Sequence, residues 1–275
     1  MTIRAGVIGN PIAHSLSPAL HGAWLKSAGV DGRYEPFLAP RHGFAETVRR
    51  LHGEGVSGLN VTIPFKEEAL ALAIRSTEAA RMAGAANLLI LEHDGDTRAD
   101  NTDGTGLLAA FAEQAPGFSP VDACVTILGA GGAARGAAAA FVLAGAAEVR
   151  LVNRTIDRAH VIAHELGGQV TAFGWKEVAE AMDGADALIN ATSLGLAGGD
   201  PLHIHLDPLP DTAAVMDMVY RPLETPLLAA ARASGRPAVD GLAMLIGQAR
   251  PSFTAFFGCE PPDVDVRAVA LEAMR

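Results

Sequence analysis

The first part of the chain alternates short apolar runs with amphipathic segments, a pattern typical of strands and helices in turn. The predicted strands are "IRAGVIG" (3–9), "RYEPFLA" (33–39) and "LNVTI" (59–63), and the predicted helices are 17–29, 41–54, 66–75 and 104–115. Ser17 is placed as the N-cap of the first helix and Gly29 at its end. The stretch "NLLILEHDGDTRADN" predicts a hairpin that turns at Asp94-Gly95.

A second alternating series follows "EQAPGFSPVD", whose proline, glycine and serine residues indicate a linker. Its predicted strands are "CVTIL", "EVRLVN", "ADALINAT", "AAVMDMV" and "PAVD", and its predicted helices follow "GAGG" and cover 156–166, 226–234 and 242–257. Strands that alternate with helices favour mostly parallel sheets covered by helices. We therefore predict an α/β protein of two lobes. The first is a mostly parallel α/β lobe of residues 1–103, completed by helices within 242–275, and the second is a Rossmann-like, doubly wound lobe of residues 104–241.

Composition narrows the class of protein. Hydrophobic residues make up 49% of the 275 residues, and the net charge of −10 comes without any run of lysine or arginine. Nucleic acid and anionic membranes are therefore not expected as partners. Cys124 and Cys259 lack the spacing of a metal site or a disulfide framework, and "MTIRAGVIGNP" lacks a secretion signal. We expect a soluble cytoplasmic protein without a metal, and the pattern leaves monomer and homodimer open.

A glycine-rich loop opens the second series, in "VTILGAGGAARGAAAAF". Gly129 permits a tight turn, and Gly131 and Gly132 let backbone N–H groups approach a pyrophosphate at the helix N-terminus. The pattern departs from GxGxxG, because the expected third glycine falls between Ala133 and Gly136. A plain strand–helix turn is the simpler alternative, so the surrounding sequence decides between the two.

The end of the next strand, "LVNRT", favours a phosphorylated dinucleotide. A protein that binds NAD usually places Asp or Glu there for the ribose 2′-hydroxyl, whereas this chain has Asn153, Arg154 and Thr155. Arg154 can stack on adenine and form a forked hydrogen bond with a 2′-phosphate, and Thr155 can cap the helix and donate to the same phosphate. With Arg158 one turn later, the segment predicts NADP rather than NAD. Asp157 has no assigned role, since its carboxylate would weaken a 2′-phosphate unless it points away.

Uncharged polar residues mark the ends of the predicted strands, which is where open α/β sheets bind ligands. Nearly all of the six asparagines stand at or beside such an end: Asn10, Asn60, Asn87, Asn101, Asn153 and Asn190. In "HSLSP", Ser15 and Ser17 place two hydroxyls and free N–H groups at a helix N-terminus, which suits a small carboxylate. Asp103 follows a strand in "ADNTDGTG", where capping of the next helix is its simpler role.

Lys66 stands out because the chain has only three lysines against eighteen arginines. An amine can lose its proton and a guanidinium cannot. Asn60, Thr62 and Pro64 alternate along the predicted strand and so share one face, which we expect Lys66 to extend.

Nine blocks, in order and at the expected intervals from residue 6 to about 250, resemble the shikimate dehydrogenase family. They are "GNPIAHSLSPALH", "NVTIPFKEEA", "AGAANLL", "NTDGTGL", "GAGGAARG", "NRT", "NATSLG", "DMVYRPLETPLL" and "DGLAMLIGQA". The family reduces 3-dehydroshikimate to shikimate with NADPH, in the pathway to chorismate and the aromatic amino acids. The resemblance implies the same reaction here.

The resemblance also implies roles for individual residues. Ser15 and Ser17 would bind the substrate carboxylate, and Lys66 and Asp103 would form the catalytic pair. The residues implied around the substrate hydroxyls are Asn60, Thr62, Asn87, Tyr220 and Gln248. The residues implied at the cofactor are Glu78, Gly129, Ala130, Gly131, Gly132, Ala133, Asn153, Arg154, Thr155, Arg158, Thr192, Ser193, Met218 and Gly241, of which Glu78, Met218 and Gly241 approach its nicotinamide half.

Reduction of a ketone delivers a hydride to carbon, so a proton donor must reach the oxygen. Lys66 and Asp103 can supply it together, and which of them accepts the proton in reverse stays open. A quinate/shikimate dehydrogenase with NAD is the first alternative, although Ser17 rather than Thr and Arg154 rather than an acid favour shikimate and NADP. A dinucleotide-binding sensor without catalysis is the second, although it would lack one of the catalytic pair. Leu88 and Leu196 replace the Thr and Met that are common in the family, which leaves fine substrate preference open.

Overall fold

The computed structural model of the chain describes residues 2–92 and 95–275, and it divides into two compact units. Unit 1 comprises Met1–Thr102 and Gln248–Arg275, and unit 2 comprises Asp103–Gly247. The predicted second boundary, after residue 241, coincides with the start of one continuous helix, Gly241–Phe257. The division lies further along this helix, because its first residues pack in unit 2 and its later residues pack in unit 1.

Strands and helices alternate through most of the described chain. The strands are β1 (Ile3–Gly9), β2 (Gly32–Leu38), β3 (Val56–Val61), β4 (Arg75–Ser76), β5 (Leu88–Leu91), β6 (Thr97–Asp100), β7 (Cys124–Leu128), β8 (Glu148–Asn153), β9 (Val170–Gly174), β10 (Ala187–Asn190), β11 (Ala214–Asp217) and β12 (Ala238–Asp240). The α-helices are α1 (Ser17–Ala28), α2 (Phe44–Gly53), α3 (Lys66–Leu72), α4 (Glu78–Ala83), α5 (Asp103–Gln114), α6 (Gly132–Leu143), α7 (Ile156–Leu166), α8 (Val178–Met182), α9 (Pro226–Ala233), α10 (Gly241–Phe257) and α11 (Val266–Ala273). A short 3-10 helix, Trp175–Glu177, precedes α8. None of the helices in the described part of the chain is both long and apolar enough to cross a bilayer.

Unit 1 is built on a mixed six-stranded sheet with the order β2-β1-β3-β5-β6-β4. β1 is parallel to β2 and β3, and β4 is parallel to β6, whereas β5 is antiparallel to β3 and β6. β2 lies at the edge of the sheet, and one side of it has no neighbouring strand. Pro36, which has no N–H to donate, is tolerated in such a strand. Phe44 of α2 stacks on Phe65 in one core cluster, and α1 and α10 contribute to a second cluster of aromatic rings.

Unit 2 is built on a parallel six-stranded sheet with the order β12-β11-β10-β7-β8-β9. The chain starts in the middle at β7, winds outward to β9, and then returns to wind outward through β10 to β12, which is the doubly wound arrangement. Buried residues of α5, α6 and α7 form one core cluster with the sheet, and buried residues of α8 and α9 form another. Helices therefore cover both faces, and the predicted fold class is confirmed.

Several details differ from the prediction. Leu16 rather than Ser17 is the N-cap of α1, although Gly29 does end it in the left-handed conformation (φ 63°). The strand predicted over 59–63 ends at Val61 and the helix predicted over 66–75 ends at Leu72. The hairpin prediction is confirmed, since β5 and β6 are antiparallel neighbours, but Asp94 of its predicted turn lies outside the described residues.

Short elements also occur where the pattern predicts none: β4, α4, β9 and α8. For α4, tertiary contact supplies what the local sequence lacks. The Thr77 hydroxyl accepts from Ala80 N–H at 3.2 Å, which caps the helix, and donates to Asp100 Oδ1 at 2.6 Å, which ties it to β6.

Candidate active site

The strand ends of unit 2 form one row across the sheet. Val152 pairs with Leu128, Leu128 with Asn190, Asn190 with Asp217, and Asp217 with Asp240. The loops that follow these residues therefore leave the sheet side by side, at the edge where doubly wound sheets bind ligands. The structure brings together at this edge the predicted cofactor residues Gly129, Ala130, Gly131, Gly132, Ala133, Asn153, Arg154, Thr155, Thr192, Ser193, Met218 and Gly241. Arg158 lies one turn into α7, and Glu78 belongs to unit 1, as the exposed first residue of α4.

The glycine-rich loop has the shape that an anion needs. Gly129 has a φ of 115°, and a Cβ there would lie 3.2 Å from Thr192 Cγ2, so only glycine lets this loop approach the loop after β10 so closely. Gly131 is the N-cap of α6, and a Cβ on Gly131 or Gly132 would meet nothing within 4 Å. The first N–H groups of α6 are therefore open to a pyrophosphate.

The segment after β8 presents its polar groups outward. Asn153 Nδ2 donates to the Thr155 carbonyl at 2.8 Å, which fixes the turn, while Arg154, Thr155 and Arg158 are exposed. Thr155 is the N-cap residue of α7, but its side chain makes no capping hydrogen bond there. Its hydroxyl and the Arg154 guanidinium fit a 2′-phosphate, although the Asp157 carboxylate is exposed in the same first turn of α7.

A buried carboxylate shapes the loop after β10. Asp217 is fully buried, and its carboxylate accepts from Asn190 Nδ2 at 2.9 Å, from Val219 N–H at 3.0 Å and from the Thr225 hydroxyl at 2.8 Å. Burial raises the pKa of Asp217, and these three donors oppose that rise. Asn190 Oδ1 in turn accepts from the Thr192 amide at 3.0 Å and the Thr192 hydroxyl at 2.7 Å. A chain of hydrogen bonds therefore runs from the strand ends to Thr192.

Met218 and Gly241 are in direct contact. A Cβ on Gly241 would lie 2.7 Å from the Met218 carbonyl carbon and 3.0 Å from that of Val219. Only glycine at the start of α10 allows the loop after β11 to lie this close. Tyr220, half-buried, follows in the same loop.

The two predicted carboxylate-binding serines stand at the start of α1, in unit 1. Ser15 Oγ accepts from the Ser17 N–H at 3.3 Å, so Ser15 satisfies one free donor of the helix N-terminus. Ser17, the second of the two serines, is buried.

Unit 1 also contains a buried network of uncharged polar side chains. The Tyr34 hydroxyl donates to Asn60 Oδ1 at 2.7 Å, and Asn60 Nδ2 donates to the Asn87 carbonyl at 3.1 Å and to Ser252 Oγ at 2.8 Å. Because every member is buried, each of these groups depends on its partner inside the protein.

Asn87 is the centre of the same network. Its Oδ1 accepts from the Thr102 N–H at 2.8 Å, and its Nδ2 donates to the Thr102 hydroxyl at 2.9 Å and to Gln248 Oε1 at 3.3 Å. The Thr102 hydroxyl in turn donates to the Gln248 carbonyl at 3.0 Å. The structure thus joins three of the predicted substrate residues, Asn60, Asn87 and Gln248, through direct hydrogen bonds.

Thr62 and Lys66 do not lie on a continued strand. The strand ends at Val61, and the Phe65 N–H donates to the Thr62 carbonyl at 3.0 Å, which closes a turn before α3. The expectation that Pro64 and Lys66 extend the face of Asn60 is therefore wrong, because alternation holds only within a strand. Lys66 is instead the first residue of α3, and its carbonyl accepts from the Ala86 N–H at 2.8 Å, one residue before Asn87. Asp103 is the first residue of α5 in unit 2 and follows Thr102 directly in the chain.

Sequence reasoning missed five members of these networks: Tyr34, Thr102, Ser252, Asp217 and Thr225. Two of these residues could have been predicted from the sequence pattern. Ser252 lies one helical turn after Gln248 on α10, and Asp217 interrupts an apolar strand at its end.

A doubly wound unit with an open helix N-terminus after β7 and an arginine after β8 defines a dinucleotide-binding α/β protein. Residues 7–89 match the shikimate dehydrogenase substrate binding domain, and residues 112–196 match the shikimate / quinate 5-dehydrogenase family. A protein named shikimate dehydrogenase (NADP(+)) from Caulobacter vibrioides is 52% identical over 273 residues, which cover 99% of this chain and 96% of that protein. The chain belongs to the shikimate dehydrogenase family, and the resemblance predicted from the sequence is confirmed.

Solved structures of the family are similar over nearly the whole chain. Shikimate 5-dehydrogenase from Thermus thermophilus in complex with NADP(H) and shikimate has a TM-score of 0.87 at 34% identity and covers 98% of this chain and 99% of its own. Quinate dehydrogenase from Corynebacterium glutamicum in complex with NAD has a TM-score of 0.88 at 29% identity, and the match covers 99% of this chain and 98% of that chain.

Proposed function

We propose that the chain is an NADP-dependent oxidoreductase that interconverts 3-dehydroshikimate and shikimate, and so serves the synthesis of chorismate and the aromatic amino acids. The observation that carries the proposal is the match over 99% of the chain to a relative named shikimate dehydrogenase (NADP(+)). The similar structure from Thermus thermophilus holds NADP(H) and shikimate together, which supports both the substrate and the cofactor.

The cofactor site that we propose follows the row of strand ends in unit 2. The open N-terminus of α6 would hold the pyrophosphate, and Arg154 with Thr155 would hold the 2′-phosphate. Thr192, held by Asn190 and Asp217, would border the path of the dinucleotide. The remaining residues proposed at the cofactor are Gly129, Ala130, Gly131, Gly132, Ala133, Asn153, Arg158 and Ser193, with Glu78, Met218 and Gly241 toward the nicotinamide.

The substrate residues that we propose lie in unit 1, apart from Tyr220. Ser15 and Ser17 would bind the carboxylate, because hydroxyls at a helix N-terminus are suited to a small anion. Thr62, Asn87 and Gln248 would bind the ring hydroxyls. The buried network around Asn87 supports this role, since it fixes the orientation of the Asn87 amide before any ligand binds.

Lys66 and Asp103 are the proposed catalytic pair. NADPH, when bound, supplies the hydride for the carbonyl carbon. The pair would deliver the proton that the oxygen needs and would remove it in the reverse direction. The Lys66 ammonium would also stabilise negative charge as it develops on that oxygen. Cytoplasmic localisation stays part of the proposal, as does a monomeric or homodimeric state.

The test is a panel of substrates and cofactors on the purified chain, followed through nicotinamide absorbance. Shikimate with NADP⁺ is expected to give the highest kcat/KM. The alternative function is that of a quinate/shikimate dehydrogenase that uses NAD. The similar structure of a quinate dehydrogenase in complex with NAD is the reason to test it. A higher kcat/KM for quinate with NAD⁺ would establish that alternative. Binding of cofactor without turnover of either acid would instead establish a sensor without catalysis.

A further inference from the structure

Thr102 is a buried residue between β6 and α5, and it stands directly before Asp103 of the proposed catalytic pair. Its N–H donates to Asn87 Oδ1 at 2.8 Å, and its hydroxyl oxygen accepts from Asn87 Nδ2 at 2.9 Å. Its hydroxyl proton goes to the Gln248 carbonyl at 3.0 Å. The backbone and the side chain of Thr102 therefore both bond to residues that are proposed to bind the substrate.

The backbone of Asn87 is fixed from two sides. Its N–H donates to the Asp100 carbonyl at 3.1 Å, and its carbonyl accepts from the Val61 N–H at 2.8 Å and from Asn60 Nδ2 at 3.1 Å. Rotation of the Asn87 side chain is the freedom that these bonds leave. An amide has two ends of similar shape and opposite hydrogen-bonding character, so half a turn would exchange an acceptor for a donor.

Thr102 selects one of the two orientations of the Asn87 amide. The Thr102 N–H can only donate, so the atom that faces it must be the amide oxygen. Because the hydroxyl proton goes to the Gln248 carbonyl, the atom that faces the hydroxyl oxygen at 2.9 Å must be the amide nitrogen. The same hydroxyl lies 3.2 Å from Asn87 Oδ1, and donation there would select the same orientation. Reversal of the amide would bring two N–H donors together.

This orientation decides which end of the Asn87 amide lies toward Gln248. Asn87 Nδ2 also donates to Gln248 Oε1 at 3.3 Å, so the side chains of two residues proposed to bind ring hydroxyls meet through that nitrogen. A ring hydroxyl that Asn87 binds from this side would meet an N–H donor and would accept from it.

We propose that Thr102 is a positioning residue of the substrate site, which holds the Asn87 amide with its nitrogen toward the Gln248 side chain. Thr102 acts through Asn87 and contacts neither substrate nor cofactor. The ligand then finds the amide already oriented, so binding does not have to supply the free energy that orders it. This inference rests on the proposed function, since Asn87 is one of its substrate residues.

Thr102→Val tests the inference, because valine has the shape of threonine, lacks the hydroxyl and keeps the backbone N–H. The Asn87 N–H that bonds to the hydroxyl would then face a methyl group. We expect KM for shikimate to rise about tenfold, in line with the loss of one buried hydrogen bond. We expect kcat to change less than about threefold and KM for NADP⁺ to stay the same. A loss confined to kcat would overturn the proposal, because the effect would then act through the neighbouring Asp103.

Two control variants separate positioning from a general loss of packing. Thr102→Ser loses the methyl group and keeps the hydroxyl, and its KM for shikimate is expected to stay within about threefold of that of the unaltered chain. Thr47→Val removes another buried hydroxyl of unit 1, which donates to the Gly43 carbonyl at 2.7 Å. It is expected to lower the melting temperature without a change in KM. A rise of about tenfold in KM for either control would refute the inference.

A double-mutant cycle with Asn87→Ala asks whether Thr102 acts through the amide. Asn87→Ala is expected to raise KM for shikimate by itself. Once the amide is gone, Thr102→Val has nothing left to orient, so KM of the double variant is expected to lie within about twofold of that of Asn87→Ala. A further rise of about tenfold in the double variant would contradict the proposal, because Thr102 would then act by another route.

The possible failures are distinguishable. If the unaltered chain neither binds nor turns over shikimate, the proposed function is wrong and this inference falls with it. If the unaltered chain turns over shikimate and folded Thr102→Val has the same KM, only this inference is wrong. If Thr102→Val does not fold, Thr102→Ser decides, since an unchanged KM supports the role of the hydroxyl and a rise of about tenfold refutes it. If Asn87→Ala does not fold, the comparison of Thr102→Val with Thr102→Ser decides.

Discussion

Replacing His21 by phenylalanine is expected to make the folding of unit 1 less sensitive to acid. The imidazole is fully buried among the rings of Trp24, Tyr34 and Phe253. Neither of its nitrogens has a hydrogen-bond partner within the described chain, residues 2–92 and 95–275. A protonated imidazole would be costly in this surrounding, and burial lowers the pKa of His21 from 6.5 to about 3.

The size of the effect follows from this shift. Above pH 6.5 the imidazole is neutral in the folded and the unfolded chain, so it adds no dependence on pH. Below pH 6.5 the unfolded chain takes up a proton that the folded chain does not, and the free energy of unfolding falls by about 1.4 kcal/mol for each pH unit. The loss is about 2 kcal/mol at pH 5 and reaches about 5 kcal/mol near pH 3, which is comparable with the whole stability of many domains.

The assay is denaturant unfolding from pH 7.5 to 4.5, followed by tryptophan fluorescence. The chain has two tryptophans, and in a Trp175→Phe background the signal reports on Trp24, whose ring packs edge-on against His21. The measured quantity is the difference in free energy of unfolding between this background and the same protein with His21→Phe. A change in packing caused by phenylalanine shifts this free-energy difference by the same amount at every pH. Uptake of a proton by the imidazole in the unfolded chain instead makes the difference depend on pH.

The matched control is His160→Phe, since His160 is exposed on α7 and its imidazole is hydrated in both states. Its difference curve is expected to lack the slope. Parallel stability curves for His21→Phe and its background between pH 7 and pH 4.5 would refute the reasoning, because they would mean that the buried imidazole accepts a proton as easily as one in water.

Three further substitutions test the site and the fold. Arg154→Ala is expected to raise KM for NADPH about tenfold or more and to leave KM for NADH little changed, and equal losses with both would mean a structural role. Lys66→Ala is expected to lower kcat about a hundredfold or more with a much smaller change in KM for shikimate, and a loss confined to KM would mean a binding group only. Gly241→Ala is expected to destabilise unit 2 by about 1–3 kcal/mol in thermal or denaturant unfolding, because its Cβ would meet the Met218 backbone. Gly136→Ala on α6, where a Cβ meets nothing within 4 Å, is its control and is expected to be neutral or stabilising by up to about 1 kcal/mol, so equal losses for both glycines would contradict the clash.

The fold could be predicted from the sequence where local pattern and burial agree. β7 and β8 have the predicted bounds. β7 is a largely apolar run, β8 buries Val149, Leu151 and Val152, and both strands have a neighbour on each side in the parallel sheet. β9 has no such signal, since it lies at the edge of the sheet and only Val170 among its residues is buried. The end of the strand at Val61 was also beyond prediction, because the turn that follows it is stabilised by its own hydrogen bond and not by a change in polarity.

For the candidate site, residue types at strand ends could be predicted, and their partners could not. Asn60 and Asn87 were candidates because an amide after an apolar run is conspicuous. Tyr34 reads as an ordinary strand residue, and its bond to Asn60 depends on a strand order that places β1 between β2 and β3. Ser252 reaches Asn60 only because the end of α10 returns to unit 1, which no local pattern encodes.

That return of α10 has a consequence for biosynthesis of the chain. Unit 2 is one continuous segment, so a ribosome has synthesised all of its residues before it reaches Gln248. The nascent first unit still lacks Ser252 and the phenylalanines that surround His21 and Trp24. The unit encoded first is therefore the one completed last, and its half-formed aromatic cluster is the surface that a chaperone would meet during translation.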